Sequence, residues 1–186
     1  MLELGVSVPS FRLPDIDGTL VSSQDAATSK GLLVAFLCPH CPYVKHVRGE
    51  FGRAAEEFRR RGLGVVAVNS NDTTASPEDG VDGMRQEARD AGYTFPYLVD
   101  ESQEIAKAFR AACTPDFFLF DDAGKLVYRG QFDGSRPGSQ VPVTGSDLRA
   151  AVDALLGRQP VFADQRPSLG CNIKWKKGSE PDYFGG

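Results

Sequence analysis

The stretch Leu32-Leu-Val-Ala-Phe-Leu-Cys-Pro-His-Cys-Pro-Tyr-Val-Lys45 decides the fold. Its first six residues are apolar without interruption and follow Gly31, which suits a short strand buried on both faces. A helix should start immediately afterwards. Val44, Val47, Phe51, Ala55 and Phe58 recur at spacings of three and four, the pattern of one helix face. Pro39 and Pro42 lie where that helix begins, and first-turn N–H groups lack intrahelical partners, so proline is tolerated there. Arg59, Arg60 and Arg61 stand near the far end, where cations suit the helix dipole, and Gly62 can close it. This places Cys38 at the helix N-cap or beside it, with Cys41 one turn further on.

The rest of the chain extends this pattern in both directions. Upstream, Asp17-Gly18 between short apolar segments signals an N-terminal β-hairpin. Downstream, Val65 to Val68 reads as the next buried strand. A polar stretch, Asn69 to Gly80, leads to a helix whose inward face would be Val81, Met84, Ala88 and Ala91. Phe95 to Val99 is a short extended piece, and a further helix carries Ile105, Ala108, Phe109 and Ala112. Phe117–Phe120 and Leu126–Tyr128 flank Asp121-Asp-Ala-Gly-Lys125 as a hairpin, and a last helix runs from an N-cap at Ser146 to Gly157. Strand–helix–strand alternation implies a parallel core, and the closing hairpin makes the sheet mixed. Residues 1–158 then form one α/β domain. Residues 159–186 show no periodicity and are either disordered or an irregular C-terminal arm that wraps the same domain.

Composition sets the outer limits. The 186 residues, 41% hydrophobic and 25% charged, describe an ordinary globular chain of one-domain size. A formal charge of −4 argues against a nucleic-acid partner, which needs clustered positive charge. No run of about 18 apolar residues suggests a membrane span, and residues 1–20 show no signal peptide, so a cytoplasmic location is expected. Four cysteines, at 38, 41, 113 and 171, are too few for a disulfide scaffold.

The close pair carries the chemistry. A helix N-terminus lowers a cysteine pKa, and the thiolate is the reactive form. Cys38 should therefore have a depressed pKa and act as nucleophile, Cys41 should resolve the mixed disulfide, and His40 should tune the thiolate. No dissociable cofactor is needed, because the sulfurs carry the electrons. Zinc on the pair plus His40 or His46 would lack a fourth ligand, so no metal is expected. The acids Asp72, Glu78, Asp79 and Asp82 lack calcium-loop spacing and suit turns and caps. Cys113-Thr114-Pro115 precedes the Phe117 strand and, taken alone, reads as a turn.

The chain resembles the thioredoxin fold, and more closely the peroxiredoxin-like (redoxin, AhpC/TSA-related) group of thioredoxin-family proteins. The resemblance rests on Phe36-Leu-Cys-Pro-His-Cys-Pro-Tyr-Val-Lys45, Asn69-Ser-Asn-Asp72 with Pro77-Glu-Asp79, and Thr114-Pro-Asp-Phe-Phe-Leu-Phe-Asp121. It continues in Tyr128-Arg-Gly-Gln-Phe-Asp133, Ser135-Arg-Pro137, Gly170-Cys-Asn-Ile-Lys-Trp175 and Glu180-Pro-Asp-Tyr-Phe184. The C-P-H-C motif also resembles that of strongly oxidising periplasmic thiol oxidases.

The resemblance implies a thiol–disulfide oxidoreductase of thioredoxin-like fold, with a central mixed β-sheet flanked by helices. Its partners would be protein or small-molecule thiols and disulfides, with an unidentified reductant or oxidant and no membrane. It implies a cis Thr114-Pro115 bond facing the cysteines, so that Pro39, Thr114 and Pro115 shape a substrate groove. Cys113 is then either a modulating thiol or a small packed side chain, and Cys171 either a packed side chain or a third redox thiol. Departures exist: Pro39 stands where relatives commonly carry Asn, and Leu37 and Leu32 where thioredoxin has Trp and a buried acid. Setting Cys41 at the end of the peroxiredoxin pattern P-x-x-x-T-x-x-C puts Val34 and Cys38 at its proline and threonine. A thiol peroxidase and a non-catalytic binding module are the competing readings.

Overall fold

The computed structural model describes residues 2–184. Strands β1 (Arg12–Pro14) and β2 (Leu20–Ser22) pair antiparallel across the Asp17-Gly18 turn, followed by the single-turn helix α1 (Ser23–Ala26). The alternating part runs β3 (Leu32–Phe36), α2 (Pro42–Arg60), β4 (Gly64–Asn69), α3 (Val81–Ala91) and β5 (Tyr97–Val99). Helix α4 (Glu104–Phe109) and the two-residue strand β6 (Cys113–Thr114) lead into the hairpin of β7 (Asp116–Phe120) and β8 (Leu126–Gly130). Helix α5 (Ser146–Leu156) and a last two-residue strand, β9 (Cys171–Asn172), complete the chain.

The main sheet has the order β5-β4-β3-β7-β8. Its first three strands are parallel, and β7 and β8 add antiparallel. It is therefore mixed, as the alternation and closing hairpin imply. Strand β3 lies at its centre, so whatever follows β3 emerges in the middle of the sheet edge.

Alternation along β3 sends side chains to two cores. Leu33 and Ala35 pack with Val44, Val47, Phe51, Ala55 and Phe58 of α2 and with Leu148, Ala151 and Val152 of α5. Leu32, Val34 and Phe36 face the other side, against Phe11, Leu13, Ala106, Phe109, Ile173 and Trp175. Both faces are covered, which is why β3 and β4 read as continuous apolar runs. Each large side chain so buried contributes about 1.5–3 kcal/mol.

Three local expectations change. The α4 helix stops at Phe109, because Arg110 takes a left-handed φ of +51°, so Ala106 and Phe109 are its buried residues and Ala112 is exposed beyond it. Helix α3 buries Met84, Glu87 and Ala91, while Val81 and Ala88 are half-buried; a carboxylate occupies the inward face where periodicity places alanine. The α5 N-cap is Gly145 rather than Ser146.

The C-terminal arm is docked through backbone bonds and two large side chains. Strand β9 pairs antiparallel with β6, matching Cys113 to Asn172 and Thr114 to Cys171. The Ile173 N–H donates to the Ala112 carbonyl, and the Asp72 N–H donates to the Lys174 carbonyl. The Gln103 side chain donates to the Lys174 carbonyl and accepts from the Lys176 N–H. Ile173 and Trp175 are buried in the second core. Among the described residues, no helix is long and apolar enough to cross a membrane.

Candidate functional site

The site forms in the segment joining β3 to α2. Helix α2 starts at Pro42, and its N-cap is Cys41, with φ −63° and ψ 123°. This corrects the expectation that Cys38 stands at or beside the cap. The cause lies in the two prolines. A residue preceding proline is driven out of helical backbone into the extended region. Cys41 precedes Pro42, so no helix can include it, and the first turn begins one residue later.

The sulfurs meet the β6–β7 junction and the arm. Cys38 Sγ lies 3.2 Å from Thr114 Oγ1 and 3.8 Å from His40 Nδ1. Cys41 Sγ lies 3.2 Å from the Thr114 carbonyl oxygen and 2.9 Å from Cys171 Sγ. The Thr114-Pro115 peptide bond is cis. Cys38 and Cys41 are buried, as are Pro39, Thr114 and Pro115; His40 and Cys171 are half-buried.

Beneath His40 sits a carboxylate whose sequence spacing suits only a turn or a cap. Asp79, fully buried, accepts from the His40 backbone N–H at 3.0 Å and stands 2.5 Å from His40 Nδ1. Asn71 Nδ2 donates to the same carboxylate at 2.8 Å, and Asn69 Nδ2 donates to the Asp79 carbonyl at 2.7 Å. The motif Asn69-Ser-Asn71 at the end of β4 thus fixes Asp79, which fixes the imidazole beside Cys38. The only sequence signal for this role is that the polar stretch follows a buried strand, on the same sheet edge as the cysteines.

The two thiols of the pair are shifted in opposite directions. The Cys38 thiol is pushed up, first by the neighbouring Cys41, then by burial and by the negative charge of Asp79. The Cys41 thiol is held well below the ordinary range. The neighbouring Cys38 lowers it first, then Cys171 and the start of α2, and together they outweigh burial. The two thiols interact strongly, so the reduced site gives up its first proton as a pair. Burial, with the adjacent Cys41, pushes the Cys171 thiol up to about 11.

The remaining candidates separate from this cluster. Cys113 Sγ points at the Pro115 carbonyl at 3.9 Å, and burial raises its thiol pKa. His46 Nε2 contacts Ser135 Oγ at 3.1 Å, Arg136 ties the Asp133 and Ser135 carbonyls, and Arg110 stacks over Tyr183. Cys38, His40 and Asp79 could offer three metal-ligand atoms within 4.8 Å of one another. A closed zinc site needs four, and the Asp79 oxygen is already engaged by His40 and Asn71.

A dithiol at the start of the helix after the central strand, faced by a cis-proline loop across a mixed sheet, defines a thioredoxin-fold protein. The chain belongs to the AhpC/TSA family, which it matches over residues 4–129. It is 22% identical over 123 residues to the thiol-disulfide oxidoreductase ResA of Halalkalibacterium halodurans. The match covers 66% of this chain and 65% of that protein, so the chain spans just under two thirds of the length of this curated relative. A crystal structure of an uncharacterized conserved protein from Geobacillus kaustophilus shares 50% identity and a TM-score of 0.92, covering 95% of this chain and 94% of that one. The thioredoxin domain of a thiol-disulfide oxidoreductase from Bacteroides vulgatus, 15% identical, shares the fold with a TM-score of 0.61, covering 80% of this chain and 97% of that one.

Proposed function

We propose that this protein is a thiol–disulfide oxidoreductase whose Cys38–Cys41 pair cycles between dithiol and disulfide. The observation that carries the reading is the convergence of both sulfurs on Thr114 beside the cis Thr114-Pro115 bond, Cys38 Sγ 3.2 Å from its Oγ1 and Cys41 Sγ 3.2 Å from its carbonyl oxygen. Exchange starts from a thiolate, so the attacking role passes from Cys38, as first expected, to Cys41. Its thiolate attacks one sulfur of a substrate disulfide and releases the other as a thiolate. Cys38, on losing its proton, attacks Cys41 and closes the Cys38–Cys41 disulfide, and the substrate leaves with two electrons. His40, held by Asp79, sits beside Cys38 where that proton is lost. Pro39, Thr114 and Pro115 form the wall against which a substrate chain docks. The partners on this reading are protein or small-molecule thiols and disulfides, the sulfurs carry the electrons, and no dissociable cofactor takes part.

A redox titration in glutathione buffer tests this. In a Cys171→Ser background, which removes the neighbouring third thiol, the protein is expected to show one two-electron transition that vanishes on adding either Cys38→Ser or Cys41→Ser. A transition that survives in either variant would sink the pair. A second reading, thiol peroxidase, would use the lowered Cys41 thiol, set at the final cysteine of the peroxidase pattern with Val34 and Cys38 in place of its proline and threonine. It predicts rapid peroxide consumption with overoxidation of Cys41. Slow consumption with Cys41 recovered unmodified would exclude it.

A further inference from the structure

Cys41 and Cys171 are 130 residues apart in sequence, yet their sulfurs are 2.9 Å apart. The proximity is built rather than incidental. Strand β9 holds Cys171 directly opposite Thr114, the residue that contacts both Cys38 and Cys41. The register is secured on the far side by Ile173 and Trp175, buried at 2% and 8% exposure, and by the Asn71, Asp72 and Gln103 bonds to the Lys174 and Lys176 backbone. On the near side Gly170 passes so close to the Thr114 carbonyl that a Cβ there would lie 2.0 Å from its oxygen. Cys38 and Cys41 are shut away from solvent, whereas Cys171 is half-buried. Cys171 is thus the most exposed of the three cysteines.

We infer that Cys171 is the third member of the redox cycle and forms a Cys41–Cys171 disulfide that exchanges with Cys38–Cys41. The step rests on the dithiol reading of the site. The Cys171 thiolate attacks Cys41 Sγ of the Cys38–Cys41 disulfide. The Cys41–Cys171 bond forms, the Cys38–Cys41 bond breaks, and Cys38 leaves as a thiolate that takes up the proton Cys171 gave up. No electrons enter or leave, so no further oxidant is consumed. The result moves the oxidising equivalent from the fully buried pair to the half-buried Cys171, a second point of exchange with external thiols. Run in reverse, it carries an external oxidising equivalent inward.

Fragment mapping of the full-length protein tests the exchange. Trypsin cleavage after Lys30, Lys45, Arg158 and Lys174 leaves Cys38 and Cys41 in fragment 31–45 and Cys171 in fragment 159–174. After diamide oxidation and alkylation, Cys38→Ser is expected to yield these two fragments joined in most molecules. Wild type should give the internal 38–41 disulfide with a smaller share of the joined pair, and Cys41→Ser should give no joined pair. Cys38→Ala, checked for native circular dichroism, repeats the measurement should the serine variant unfold. Free thiols at 41 and 171 in folded Cys38 variants, under conditions that fully oxidise wild type at 38–41, overturn the inference alone. A joined pair in Cys41→Ser overturns the assignment of Cys41 as partner. Wild type that never closes 38–41 overturns the dithiol reading, and the exchange with it.

Discussion

At the scale of the residue, Pro42 decides where the helix starts relative to the cysteine pair. By driving Cys41 out of helical backbone, Pro42 leaves it at the cap, just before the first turn of α2. Reduced wild type is expected to show one thiolate titrating below the ordinary cysteine range of about 8.5, followed by ultraviolet absorbance. Cys41→Ser should abolish it, and Cys38→Ala should move it upward, because the neighbouring Cys38 is the largest cause that lowers Cys41. Persistence of the low thiolate in Cys41→Ser would show that the charge rests elsewhere. Asp79 is a second single-residue test. Its buried carboxylate gathers donors from the His40 backbone, the His40 ring and Asn71. Asp79→Asn turns an amide N–H toward one of those donors, so a loss of about 1–3 kcal/mol in urea unfolding is expected. An unchanged midpoint would mean the network adds nothing to stability. Removing the Asp79 charge also removes one of the causes that raise Cys38.

At the scale of the element, what is legible in the sequence is whatever has a period. The apolar runs of β3 and β4 and the three-four spacing of α2 are long enough to name their buried residues, and they do. Helix α4 and strands β6 and β9 have six, two and two residues, too few for any period to show. The pairing of β6 with β9 joins residues 113–114 to 171–172, and nothing local signals a contact over that separation. The cysteine pair is legible because its chemistry is contiguous. The roles of Asp79 and the position of Cys171 are not, because each depends on which loops the sheet brings to one edge. Gly170 is the one sequence trace of the arm's close approach. Gly170→Ala is expected to push β9 away from Thr114. In the Cys38→Ser background this should reduce the joined 31–45 and 159–174 fragments several-fold. In otherwise wild-type protein the 38–41 disulfide should still close. Equal joining with and without the methyl group would show that the arm does not set the sulfur distance.

At the scale of the whole molecule, the site leaves its mark on stability through buried acids. Burial raises Glu87 from 4.5 and Asp116 from 3.8, each to about 7. The sign follows from linkage. The native state keeps protons that the unfolded chain releases between those values, so stability falls as pH rises through the window from about 4 to about 7. Glu87 accepts from the Tyr97 hydroxyl at 2.8 Å through one oxygen, while its other oxygen is buried without a partner. Glutamine keeps the acceptor and cannot ionise. A tenfold change in proton affinity between the folded and unfolded states is worth about 1.4 kcal/mol, so Glu87→Gln is expected to be more stable than wild type by about 2–3 kcal/mol at pH 8. Near pH 4 the two should unfold alike. Urea titrations at the two pH values give the difference directly, since every other group is common to both proteins; a gap that does not change with pH would refute the buried-acid account. The negative charge on Cys41 is one of the causes that raise Glu87. Closing a disulfide at Cys41 removes that charge, so the wild-type-to-Gln gap at pH 8 should narrow in the oxidised protein. The acid on α3 thereby reports on the redox state of a sulfur at the start of α2, and the two can be measured against each other without any substrate.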